Sequence, residues 1–108
     1  MYQTVHTSRS EFVPIRQLNY HVRLWGPEAS SLPPLVLVHG WMDVAASYQF
    51  VVDAFGAAFM QGRRVIAPDW RGFGLTAPPS PTDHYFFPDY LADLDQLLDH
   101  YAPDTPVD

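Results

Sequence analysis

A chain of 108 residues that is 47% hydrophobic holds enough material for one domain at most, and its apolar content separates it from disordered sequences. A net charge of -6 argues against nucleic acid and against anionic membrane as partners, because both recruit basic surfaces. With no cysteine there is no disulfide framework, no thiolate nucleophile and no zinc–thiolate site.

Residues Met1 to Ser10 are polar and unpatterned, and a loose lead-in is expected there. They contain no apolar stretch of signal-peptide length, and no later run is long enough to span a membrane. A cytoplasmic location is the expectation. Phe12 to Ile15 and Leu18 to Trp25 favour strand. In the second, Tyr20, Val22 and Leu24 alternate with His21, Arg23 and Trp25, the period of a strand near a sheet edge. With Asn19 at or near the turn, an antiparallel hairpin follows. Gly26 to Pro34 is a loop by its Gly-Pro, serine and paired-proline content.

Leu35-Val36-Leu37-Val38 is an unbroken apolar run that ends in His39-Gly40-Trp41. Lack of alternation predicts a strand covered on both faces, as inside a parallel sheet. Gly40 is expected to allow a sharp turn or a close approach of another group. Ser47 is placed to cap a helix, whose Tyr48, Val51, Val52 and Phe55 would face the sheet until Gly56 or Gly62 stops it. Arg64 to Ala67 then reads as a second strand, completing a βαβ unit whose strand ends would carry the chemistry. Leu75 to His84 is proline-rich loop. Phe87, Tyr90, Leu91, Leu94, Leu97, Leu98 and Tyr101 trace a helical stripe, while Asp89, Asp93, Asp95 and Asp99 are expected on a solvated face. Thr105 to Asp108 looks like the approach to another strand.

His39-Gly40-Trp41, followed by Asp69-Trp70-Arg71-Gly72-Phe73-Gly74 and by the helix around Tyr90-Leu91-Ala92-Asp93-Leu94, resembles the α/β-hydrolase superfamily. The likeness runs from about Leu18 to Asp108 and is greatest to the serine-hydrolase-like branch of small, cofactor-free hydrolases. It implies an α/β fold of which this chain is the N-terminal part, incomplete: an antiparallel hairpin plus a parallel βαβ unit with helices packed on the sheet.

The resemblance also implies roles. The backbone N–H of Trp41 would be one donor of an oxyanion hole, placed where negative charge develops on a carbonyl oxygen. His39 and Gly40 would hold that loop, with His39 structural and not the base. Asp69 and Arg71 would brace the neighbouring loop through charge-assisted hydrogen bonds, with Gly72 and Gly74 supplying its turn. Trp41, Met42 and Trp70 would line an apolar substrate pocket. The expected G-x-S-x-G elbow does not occur in these residues, so nucleophile, acid and base would all lie beyond Asp108. The implied reaction is hydrolysis of a small carboxylic ester through a covalent acyl-serine, without cofactor or metal. Epoxide hydrolysis and haloalkane dehalogenation, with an Asp nucleophile, are the alternatives within the fold, although Met42 stands where epoxide hydrolases usually carry proline. A catalytically inactive fragment or interaction module is the alternative outside enzymology. Self-association through an exposed sheet edge is expected of the isolated chain.

Three other assignments are weaker. His39, Asp43 and Asp69 could be drawn as a metal site, but nothing in their spacing fixes a geometry. Gly72-Phe73-Gly74-Leu75-Thr76-Ala77 has the letters of a dinucleotide fingerprint, yet Pro78 and Pro79 follow in place of a helix. Ser47 reads as a cap before it reads as a nucleophile, and Ser80 has no base nearby in sequence.

Overall fold

The computed structural model describes residues 2–28, 32–40, 43–77 and 87–108. Its strands are β1 (Ser8–Ile15), β2 (Leu18–Trp25), β3 (Leu35–Val36) and β4 (Val65–Pro68). Among the described residues they form one mixed sheet in the order β1-β2-β4-β3. β1 and β2 make the antiparallel hairpin that alternation predicts, β2 runs antiparallel to β4, and β4 runs parallel to β3 with Val36 opposite Ile66.

The hairpin turns at Arg16 and Gln17, both left-handed with φ of 48° and 70°. Two such residues give the backbone twist that matches the flanking strands. Asn19 lies near the turn, inside β2 and opposite Pro14. β2 is near the sheet edge, as its alternation suggested, but lies between β1 and β4 and is covered on both faces. Tyr20, Val22 and Leu24 join Val13, Ile15, Leu18, Ile66 and Leu97 in one core. Trp25 joins Ala45, Val52, Met60, Val65 and Ala67 in the other. Alternation here separates two interiors and not an interior from solvent.

The lead-in is not loose. Asp53 accepts from the Tyr2 hydroxyl at 2.6 Å and from the amides of Val5 and His6 at 3.0 and 2.8 Å. Gln49 Nε2 donates to the His6 carbonyl at 2.8 Å, and strand structure starts at Ser8. Residues 2–6 are thus strapped to a helix far away in sequence.

Of the Leu35 to Val38 run, only Leu35–Val36 is strand, although the Leu37 amide still donates to the Ile66 carbonyl at 2.9 Å. Among the described strands β3 is the last in the order. Its other edge is met by Asp108: the Val36 amide donates to the Asp108 carbonyl, and the Asp108 amide to the Pro34 carbonyl, both at 2.9 Å. These two bonds have the slant of a parallel ladder.

One helix was expected after Ser47. The chain instead makes a 3₁₀ turn, Ala45–Tyr48, then α1 (Gln49–Asp53) and α2 (Ala57–Met60), with Gly56 between the two helices. Ser47 is not the cap. It lies within the 3₁₀ turn and donates from Oγ to Asp43 Oδ1 at 2.7 Å. Val52 is buried and Tyr48 and Phe55 pack beside it, while Val51 faces outward. α3 (Phe87–Tyr101) covers the Tyr20 face of the sheet, with Tyr90, Asp93 and Leu97 buried. Asp93 therefore contradicts the solvated-face expectation, whereas Phe87 and Leu91 of the expected stripe are exposed. No helix among the described residues is long and apolar enough to cross a membrane.

Candidate active site

The C-terminal ends of the parallel strands β3 and β4 lead into two loops that lie against each other, the place where open α/β sheets put their ligands. His39 joins them. Its buried ring accepts the Trp70 amide N–H on Nε2 at 2.9 Å, so its proton sits on Nδ1, which donates to the Gly40 carbonyl at 2.8 Å. The Trp70 indole N–H returns a bond to the His39 carbonyl at 2.9 Å. Both ring nitrogens are committed to the backbone, so neither is available to take a proton from a substrate or to hold a metal.

Asp69, at the end of β4, is the second fastener. Its buried carboxylate accepts the Ala45 amide on Oδ1 at 2.7 Å and the Leu75 amide on Oδ2 at 3.1 Å. His21 Nδ1 lies 2.7 Å from the same Oδ2. One carboxylate thus ties β2, β4, the 3₁₀ turn and the turn after Trp70. That last turn is closed by the Gly72 amide donating to the Thr76 carbonyl at 2.8 Å. Gly72 and Gly74 are both left-handed, with φ of 82° and 53°. No helix begins in this turn before Ala77, so it does not present a helix N-terminus to a dinucleotide.

Arg71 points away from the cleft into α3. Its Nε and Nη2 donate to the two oxygens of Asp93 at 2.7 and 2.8 Å, the forked geometry that makes such pairs strong. The Tyr20 hydroxyl also donates to Asp93 while accepting the Arg71 amide at 3.0 Å, and Arg16 reaches the same carboxylate at 3.2 Å. The hydrogen bond to Asp93 leads the effects that raise Arg71 above its ordinary value. Burial, and then the bond to Asp93, hold the Tyr20 phenol protonated far above its usual range. Asp93 is the residue that sequence reading missed. Its spacing from Tyr90 and Leu97 had already put it on the buried face.

Above the two loops opens a cleft of about 420 Å³. It is lined by Val38, His39 and Gly40 from one loop, by Trp70 and Phe73 from the other, and by Phe87, Tyr90, Leu91 and Leu94 of α3. Among the described residues no atom lies within 4 Å of where a Cβ on Gly40 would stand, and its φ is not left-handed. Neither its backbone conformation nor packing by the described residues calls for glycine there. Trp41, Met42 and Ser80 lie outside the described residues. Asp43 does not approach Asp69 as a co-ligand: its Oδ1 accepts from Val44 N and Ser47 Oγ, and these two bonds, Ser47 first, lower its carboxyl below the ordinary value. Among the described residues no three metal-ligating side chains converge.

A family model described as the alpha/beta hydrolase fold matches residues 33–107. The chain belongs to the α/β-hydrolase family. An epoxide hydrolase of Neurospora crassa is 35% identical over 77 residues, covering 68% of this chain and 22% of that protein. A serine hydrolase-like protein of Dictyostelium discoideum is 34% identical over 77 residues, covering 71% of this chain and 20% of its own length. Among solved structures, a thioesterase domain from the curacin biosynthetic pathway superposes with a TM-score of 0.77 at 24% identity, over 94% of this chain and 35% of that one. The epoxide hydrolase CorEH superposes with a TM-score of 0.68 at 26% identity, over 89% and 30%. The chain thus spans between a fifth and about a third of these α/β hydrolases. Its site residues fall into two groups: His39, Gly40 and Trp70 line the cleft, while Asp69, Arg71, Gly72 and Gly74 form the scaffold behind it.

Proposed function

We propose that this chain is the N-terminal portion of an α/β hydrolase that cleaves a small, largely apolar carboxylic ester, using a serine nucleophile supplied by residues beyond Asp108. The observation that carries this is the apolar cleft at the ends of β3 and β4, bounded by a loop fastened on both flanks. In this reading the Trp41 backbone N–H donates to the developing oxyanion. Support comes from its neighbours: His39 fixes Gly40 on one flank, Asp69 fixes Ala45 on the other, and the Asp43 amide donates to the Gly40 carbonyl at 3.2 Å between them. Donors set before the reaction cost no reorganisation when charge appears. Trp70 contributes apolar lining, and the space left open over Gly40 by the described residues lets the acyl group approach the backbone.

A second reading is epoxide opening by an Asp nucleophile, favoured by the relatives named as epoxide hydrolases in Neurospora crassa and Siraitia grosvenorii. The two are separated by the protein translated past Asp108, assayed with an aryl ester and an aryl epoxide. Ester turnover through a trapped acyl-serine is expected. Epoxide turnover through an aspartyl ester would replace the first reading with the second. Inactivity of the extended protein on both would favour a non-catalytic interaction module.

A further inference from the structure

We infer that Ser10, His21 and Asp69 form a second nucleophilic relay, on the β1–β2 hairpin, able to accept an acyl group from an activated aryl ester. His21 is only 1% exposed and lies on the Trp25 face of β2. Its Nδ1 is 2.7 Å from Asp69 Oδ2 and its Nε2 is 2.9 Å from Ser10 Oγ. A carboxylate only accepts, so the ring proton belongs on Nδ1 and Nε2 is left to accept the Ser10 hydroxyl. That is the order of nucleophile, base and orienting acid that activates a serine. The base and the acid are buried, while Ser10 is exposed on β1.

Two neighbours add what an acyl transfer needs. Phe12, on the same face as Ser10, is 50% exposed with its ring 5.2 Å from that of His21, an apolar platform for an aryl group. Arg23 stands directly opposite Ser10 in the register. Its Nη1 donates to Ser8 Oγ at 2.9 Å, and its buried Nε has no hydrogen-bond partner among the described residues. Arg23 thus brings a cationic side chain to the register position opposite Ser10, on the side of the hairpin where charge would develop.

The step balances without a further reactant. Ser10 Oγ bonds to the ester carbonyl carbon as its proton passes to His21 Nε2. The tetrahedral adduct collapses, the bond to the aryl oxygen breaks, and the phenol leaves with that proton. Ser10 is left O-acylated and His21 neutral. The relay lies wholly within the described residues and needs no residue beyond Asp108, so its test is independent of the reaction at the cleft.

The test is acylation of the 108-residue chain by p-nitrophenyl acetate, mapped residue by residue by tandem mass spectrometry. Ser8, on the same strand but hydrogen-bonded to Arg23 in place of a base, is the internal reference. General-base assistance is expected to make Ser10 react roughly 10²-fold faster than Ser8. Ser10→Ala removes the fast phase, and His21→Gln lowers Ser10 to the rate of Ser8. Equal rates at Ser10 and Ser8 in the parent chain overturn the proposal, whether or not His21→Gln folds. So does a His21→Gln chain with unchanged melting that still acylates Ser10 rapidly.

Discussion

A Cβ built on Gly74 would lie 2.4 Å from the carboxylate carbon of Asp69, in a backbone already left-handed. Left-handed strain alone costs roughly 1–3 kcal/mol for a residue with a side chain. Gly74→Ala should therefore cost at least that much in urea unfolding, because displacing Asp69 also releases Ala45, Leu75 and His21. Gly40→Ala meets no atom of the described residues within 4 Å, and its stability change is expected within about 0.5 kcal/mol. Its effect should appear as a lower kcat/KM in the protein extended past Asp108. A loss of stability at Gly40 equal to that at Gly74 would contradict this division. Asp53 supplies a prediction in pH. Desolvation pushes its carboxyl up, but donors from Tyr2, His6, Gln49 and Val5 outweigh it and hold the group down at about 2. A depressed carboxyl stabilises above its unfolded value near 4 and loses that contribution as pH falls towards 2. The Val5 and His6 amides should therefore lose exchange protection over that acid range, and Asp53→Asn should abolish the pH step.

The β1–β2 hairpin carries left-handed conformations at Arg16 and Gln17, where glycine or asparagine would sit more easily. Gln17→Gly is expected to stabilise by about 0.5–1 kcal/mol, a rise of several degrees in Tm, since Gln17 makes none of the contacts that tie Arg16 to Asp89 and Asp93. An unchanged or lower Tm would count against strain at the turn. Alternation made this hairpin legible, and the paired apolar runs made the parallel β3–β4 contact legible, because each rests on local periodicity. Alternation could not say whether the His21 face met water or a second layer of helices, since both produce the same pattern. α3 was legible in extent. Asp93 was misread because aspartate on a helix is usually solvated, while its partners Tyr20, Arg16 and Arg71 come from elsewhere in the chain. The strap of residues 2–6 left no periodic trace, since it consists of polar contacts to one distant carboxylate. The His39–Trp70 lock joins two motifs that could be read separately, while the bond between them could not.

For the whole molecule, the sheet has β2 and β4 covered and its outer strands less so. Val38, Phe87 and Leu91 around the cleft are 42%, 69% and 53% exposed, in reach of another apolar surface. The isolated 108-residue chain is expected to self-associate, with light-scattering mass rising with concentration. A constant monomeric mass with a single cooperative melt would sink that expectation. Arg71 is forked onto Asp93, the Tyr90 hydroxyl bonds to the Arg71 carbonyl at 3.4 Å, and the Trp70 and Tyr90 rings stand edge to face 5.6 Å apart. The Trp70 loop and α3, which both line the cleft, are therefore tied into one stiff jaw, whose gape is set before any guest arrives. A guest too wide for it cannot prise α3 outward without tearing a buried carboxylate from its guanidinium.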